Sequence, residues 1–477
     1  MTIPEAIRQL LDTNESARDA LSLLDEALIH YRGRAVGSVA AHDASAEAVN
    51  YDQCFVRDFV PSALVYLAIG RHDIVQGFLE ATCTLQHPDW SRMGVQPGEG
   101  LMPASFKVER GTNGAERLTA DFGQDAIGRV APVDAGLWWV ILLRAYTKAT
   151  GDESLAQSDP FQRRLDQILA LCCQDRFDLF PTMLVPDGAC MIDRRMGING
   201  HPLEIQALFH HAMRAGLELL IERPGRRCSS ALLNRRVPAL TNHVRTHYWL
   251  DMPSINQVYR FRGEQFGAAA RNPYNIQPES IPDWLTLLMP DDGGYLAGNL
   301  GPAQLDFRFH TLGNLLSVMS GLATADQTRA LLHFIDIRWQ ELIGAMPMKI
   351  LYPAMKDAEW RILTGCDPKN RAWSYHNGGS WPVLLWPLTA ACVMGERPEL
   401  ARRALDVARR RLSRDDWPEY YDGMYGRLVG RYSRLRQTWS MAGYLLGEII
   451  LAQPDVVSWL CMDCRTGTQP SPEAPPS

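Results

Sequence analysis

Residues 134–151 read DAGLWWVILLRAYTKATG, and residues 398–412 read PELARRALDVARRRL. The first starts on Asp134, a good N-cap, runs through Leu137, Trp138, Ile141, Leu142 and Ala145, and stops at Gly151, which spells one helix with its start and stop signals. The second repeats Leu400, Ala404, Leu405, Ala408 and Leu412 at helical spacing, with Pro398 in the first turn and Arg409 to Arg411 near the end, an amphipathic helix. Working outward, the same periodicity predicts helices over 3–29, 57–70, 72–86, 155–174, 202–221, 229–248, 309–321, 325–343, 377–394 and 438–452. No long parallel-sheet pattern alternates with them. Between them lie Gly- and Pro-rich segments with short extended stretches at Ser105 to Glu109, Met183 to Pro186 and Tyr295 to Leu300. About twelve helices joined as alternating pairs close into a ring of six hairpins around a concave pocket. A solenoid would require a repeat of fixed length, and none is visible.

The 477 residues include 48 Lys and Arg against 54 Asp and Glu, a formal net charge of -6 that argues against a polyphosphate partner such as nucleic acid. With 46% hydrophobic and 21% charged residues, the composition is globular. The most apolar stretches, Leu137 to Leu143 and Trp381 to Met394, are too short or interrupted to cross a bilayer. Glu5 and Arg8 within Met1 to Leu10 break the order of a signal peptide, so the expectation is a cytoplasmic protein. Ten cysteines are far below the density of a disulfide scaffold and read as thiols. Cys461 and Cys464 form one CxxC without a second pair, which reads as structural or incidental thiols. The expected division is an N-terminal helical segment over 1–35, one helical domain over 36–455, and a tail over 456–477 whose Pro-, Ser- and Thr-rich end is disordered.

Two segments carry chemistry. Asp187 to Leu208 reads DGACMIDRRMGINGHPLEIQAL, an acid and two arginines in a Gly-rich loop entering a helix. Desolvation at a cavity mouth would let Asp193 act as a general acid; the plainer reading is a surface ion pair with Arg194 or Arg195. Asp415 to Gly423 reads DDWPEYYDG, which sets Glu419 among Trp417, Pro418, Tyr420 and Tyr421. An acid in aromatic surroundings suits sugar, whose apolar face stacks on rings while its hydroxyls meet carboxylates; alone it could equally be a packed turn with a solvated Glu419. Together the segments supply the paired carboxylates of glycosidic cleavage.

The strings NYDQCFVRDFVPSAL (50–64), APVDAGLWW (131–139), CMIDRRMGINGHPLEIQALF (190–209), GNLGPAQLDFRF (298–309), WRILTGCDPKN (360–370), WSYHNGGSWPVLLW (373–386) and WPEYYDG (417–423) closely resemble the alkaline/neutral invertases of glycoside hydrolase family 100 over about residues 35 to 455. The resemblance implies an all-α (α/α)₆ six-hairpin barrel with short β-hairpins around its mouth, cytosolic hydrolysis of sucrose to glucose and fructose with inversion, and neither metal nor cofactor. It makes Asp193 the general acid and Glu419 the general base. The Arg57-Asp58 pair resembles the sugar clamp of other six-hairpin glycosidases, or is a buried ion pair fixing its helix. Tyr51, Phe55, Trp138, Trp381 and Trp439 are candidate stacking walls, with Tyr421 beside the base. Asp134, Glu204, His376, Asn377 and Gln437 are candidate polar contacts, together with Arg194 and Arg195. Cys54 and His310-Thr311 depart from the family pattern without removing a carboxylate.

No GxxxxGK[ST], GxSxG or HExxH occurs, so nucleotide, serine-hydrolase and zincin chemistry lack support. The rival readings are another glucosidase of the same barrel, a sugar phosphorylase, which would need an anion pocket in place of a base at Glu419, and a non-catalytic sugar-binding protein. The expected partner is a small sugar, with no nucleic acid and no membrane; exposed helix stripes incline the reading to a homo-oligomer of unassigned size.

Overall fold

The computed structural model describes residues 3–85, 100–123, 132–173, 178–185, 190–192, 196–260, 272–274, 276–301 and 304–462. Twelve of its helices build the barrel: α1 (Glu15–Glu26), α2 (Val56–Ala68), α3 (His72–Thr84), α4 (Ala135–Thr150), α5 (Asp159–Cys172), α6 (Leu203–Leu219), α7 (Ser230–His247), α8 (Thr311–Met319), α9 (Ala325–Ile337), α10 (Leu385–Met394), α11 (Pro398–Arg409) and α12 (Thr438–Ala452). The even-numbered helices pack side to side in chain order, and α12 closes the ring against α2. The fold is an (α/α)₆ barrel.

Sequence decides which helix goes inside. In α4 the run from Ala135 to Thr147 is buried all round, as are Leu385 to Cys392 in α10 and most of α12. A helix apolar on every face is stable only when surrounded, and each fully buried Leu, Ile, Val or Phe contributes about 1.5–3 kcal/mol. The odd-numbered helices are amphipathic. In α11, Leu400, Ala401, Ala404, Leu405 and Ala408 are buried while Arg402, Arg403 and Arg409 face solvent. Close approach inside the ring needs small residues: a Cβ on Gly443 of α12 would lie 2.6 Å from Val383 Cα.

Short strands lead into the inner helices at one end. Cys54–Phe55 precedes α2 and pairs with Ser105–Arg110, itself paired with Glu116–Asp121. His201–Pro202 precedes α6, and Gln304–His310 precedes α8; both pair with the central strand Gly294–Gly301. The N-terminal ends of the inner helices therefore gather beneath these strands, and their aligned peptide dipoles favour negative charge there.

Most helix expectations are met within a few residues, and the departures have local causes. The stretch 3–29 breaks at Asn14, whose side chain accepts from Ala17 N at 3.1 Å and caps α1. Helix α1 packs on α12 and completes the outer ring, so the expected N-terminal segment is joined to the barrel. The stretch 377–394 is α-helical only from Leu385, after a 3-10 turn at Pro382–Leu384; the residues before that form turns, with Gly378 at φ +85° and Ser380 bridged to Tyr421. Helices Met252–Arg260, Asp283–Leu288 and Asp357–Thr364 were not anticipated. Val457–Leu460 is a short helix packed on α4, and Cys461 is buried; Cys464 and the rest of the tail lie outside the described residues.

Candidate active site

Glu419 lies in the loop between α11 and α12, 2% exposed. Its backbone N–H donates to Arg434 O at 2.7 Å, and Ser440 Oγ, in the first turn of α12, donates to Pro418 O at 2.9 Å. Two residues earlier, Trp417 Nε1 donates to Asp19 Oδ2 of α1 at 2.7 Å, an oxygen that also accepts from Ser413 Oγ at 2.7 Å. The carboxylate accepts from the Tyr51 hydroxyl at 2.7 Å on Oε1 and from Arg434 N at 3.4 Å on Oε2. Tyr51, expected as a stacking wall, thus meets Glu419 through its hydroxyl.

The first turn of α2 brings Arg57 and Asp58 alongside. Arg57 Nη1 donates to Asp134 Oδ2 at 2.8 Å, and its Nε lies 3.5 Å from Asp58 Oδ1. Asp134 occupies the N-cap position of α4, yet its side chain makes no cap hydrogen bond; the carboxylate is committed to Arg57. Glu204, in the first turn of α6, accepts from Met191 N at 2.8 Å and so ties down the chain just before residue 193. Asp193, Arg194 and Arg195 lie outside the described residues.

Asp58, Asp134 and Glu204 thus gather around the Arg57 guanidinium, and Glu419 lies close enough to Asp58 for their charges to interact. Burial pushes Asp58 up to about 7, opposed by Arg57 and reinforced by the negative charges of Glu419 and Asp134. Burial likewise pushes Glu204 up to about 7, with Asp134 adding to the rise. Burial works against the charge on Arg57, but Asp134 and Asp58 outweigh it and keep the guanidinium protonated. Trp138 Nε1 is buried without a hydrogen-bond partner among the described residues, a state that proteins tolerate where a ligand or water supplies the missing bond; Arg57 Nε and Asp58 Oδ1, 3.5 Å apart, face each other as an ion pair.

Arg57, Trp138, Met191, Leu312, Trp386 and Trp439 line a narrow cavity of about 20 Å³, each contributed from a different inner-helix end or the loop before it. Phe55 borders a smaller cleft with Arg57 and Asp134. Gln437 serves Trp439: with its amide donating to Ala40 O at 2.9 Å, it accepts from Trp439 Nε1 at 3.2 Å. Four expected contacts are placed differently. Trp381 is fully buried and packed by His376, Tyr420, Tyr375 and Trp439, which makes it a packing centre, with His376 stacked on it at 4.9 Å between centroids. Asn377 spends its amide on Met355 N and O and on Asn370 O, tying two loops together. Tyr421 meets Asp415 through its hydroxyl and Arg411 through its ring. Arg434 and Tyr375 were not singled out from the sequence; Tyr375 stands inside the quoted aromatic string, whereas no spacing signals Arg434.

The alkaline and neutral invertase family model matches residues 20–454. The chain belongs to this family, glycoside hydrolase family 100. Among curated invertases, Cytosolic invertase 1 of Oryza sativa subsp. japonica is 52% identical over 93% of this chain and 80% of its own. Neutral/alkaline invertase 1, mitochondrial, of the same plant is 51% identical over 96% of this chain and 74% of its own. Solved structures share the barrel at low identity: a bacterial glucoamylase complexed with acarbose (TM-score 0.56, 11% identity, 94% of this chain and 57% of that one) and a GH63 mannosylglycerate hydrolase from Thermus thermophilus in complex with glucose (TM-score 0.52, 12% identity, 90% and 99%). Like its relatives, this invertase is a glycoside hydrolase. Among its described residues no group of three or more His, Cys, Asp or Glu could hold a metal ion, and no helix is long and apolar enough to cross a membrane.

Proposed function

We propose that this invertase hydrolyses sucrose to glucose and fructose in the cytoplasm, with inversion at the attacked carbon. Asp193 protonates the bridging oxygen, and Glu419 takes a proton from water attacking the opposite face. Arg57 and Asp58 hold sugar hydroxyls, and Trp138 and Trp439 flank the ring. One observation carries the reading: Glu419 is buried at the inner-helix mouth and held by donors from two loops, beside the buried Arg57-Asp58 ion pair. Met191, two residues before Asp193, is held by the Glu204 carboxylate at the start of α6. Inversion requires the two carboxyl groups about 6.5–9.5 Å apart so that water fits between sugar and base.

The test is sucrose, with trehalose as control, in H₂¹⁸O without phosphate, followed by NMR before mutarotation. The sugar that takes the label marks the attacked carbon. Inversion gives labelled β-glucose or labelled α-fructose. Retained configuration contradicts the mechanism, and a strict need for phosphate favours the phosphorylase reading.

A further inference from the structure

We infer that Tyr51 is the positioning residue for Glu419, holding Oε1 so that Oε2 faces the attacking water. This rests on the proposed base role of Glu419. The Tyr51 hydroxyl lies 2.7 Å from Oε1, whereas the donor to Oε2 is a backbone N–H at 3.4 Å. Oε1 is therefore the committed oxygen, and Oε2 keeps a lone pair for a proton. Burial and the neighbouring Glu419 charge push the phenol well above its ordinary value, so it stays a donor throughout the working range.

The Tyr51 backbone is fixed on both sides. Tyr51 N donates to Ala48 O at 2.8 Å, and Tyr51 O accepts from Ala41 N at 3.0 Å. The Arg434 guanidinium sits 5.1 Å from the Tyr51 ring centroid. The two loops are clasped: Asp43 Oδ2 accepts from Leu435 N at 3.0 Å, and His42 N donates to Arg436 O at 3.2 Å. A carboxylate without the phenol would turn about its own terminal bonds, and loss of a near-attack geometry lowers turnover more than binding.

The experiment compares wild type, Tyr51→Phe and Glu419→Gln on sucrose, with kcat, KM and the pH profile of kcat/KM, after circular dichroism confirms folding. Tyr51→Phe is expected to lower kcat about ten- to hundredfold with KM changed less than about twofold. The acidic limb of its kcat/KM profile should move to higher pH, because the carboxylate has lost a donor that favours its charged form. A second variant, 3,5-difluorotyrosine at position 51, is a stronger donor and should move that limb down. An unchanged kcat, a rise in KM alone, or an acidic limb that neither variant moves overturns the inference. An active Glu419→Gln removes the base assignment as well; an inactive Glu419→Gln beside a normal Tyr51→Phe removes only the role of Tyr51.

Discussion

Replacing Arg57 by Met tests how the mouth of the barrel tolerates its carboxylates. The guanidinium contacts Asp134 at 2.8 Å and Asp58 at 3.5 Å, and all three side chains are largely buried. Removing one partner of a buried ion pair costs about 3–5 kcal/mol, because the charge left behind has lost its compensation. The sign of the pH dependence follows from the raised acids. Asp58 and Glu204 titrate near 7 in the folded protein, against 3.8 and 4.5 ordinarily. Between those limits the native state binds more protons than the unfolded one, so their contribution to stability falls as pH rises. For Asp58 alone, a rise of about three units corresponds to about 4 kcal/mol. Without Arg57 the folded acids shift higher still, and the decline continues beyond neutrality. Urea unfolding of both proteins at about pH 5 and about pH 8 should therefore show a gap that widens with pH and reaches about 3–5 kcal/mol at the higher one. A gap that is constant, or that narrows as pH rises, would refute the reasoning.

Three further outcomes are expected. Asp19→Ala removes the acceptor for Ser413 Oγ and Trp417 Nε1; it should cost about 2–3 kcal/mol in urea unfolding and lower kcat more than it raises KM, since the loop it releases carries Glu419. Gly443→Val puts side-chain atoms where even a Cβ lies 2.6 Å from Val383 Cα; spreading the turn before α10 from α12 should cost about 3 kcal/mol or more, and an unchanged melting temperature would count against the packing described. Asn377→Ala loses the hydrogen bonds to Met355 and Asn370, so stability should drop by about 2–3 kcal/mol while KM of the folded fraction stays near wild type; a selective rise in KM would restore Asn377 to the sugar.

The ring of hairpins was legible because helical period and capping are local signals. Thr438–Ala452 falls on its expected span, and Ala135–Thr150 stops at Gly151 as its sequence announces. What a side chain does with its polar atoms was less legible, because its partner is usually remote. Asp134 looks like a cap by position, yet its partner is Arg57, 77 residues earlier. Tyr51 and Glu419 meet across 368 residues, a contact that no spacing rule encodes. Trp381 and Asn377 stand in one aromatic, Gly-rich string that suits a sugar site equally well by composition, and the fold commits both to packing. The carboxylate strings could be read because they pair residue types with their settings, acid in a Gly-rich loop and acid among aromatics.

Sucrose turnover by Asp193→Asn and Glu419→Gln, each shown to be folded by thermal unfolding, addresses the paired-carboxylate mechanism most directly. General acid and general base groups contribute about 10²–10⁴ each to the rate, so each variant should lose at least about a hundredfold in kcat. Turnover within about twofold of wild type in either variant would contradict the assignment of that carboxylate and with it the inverting pair.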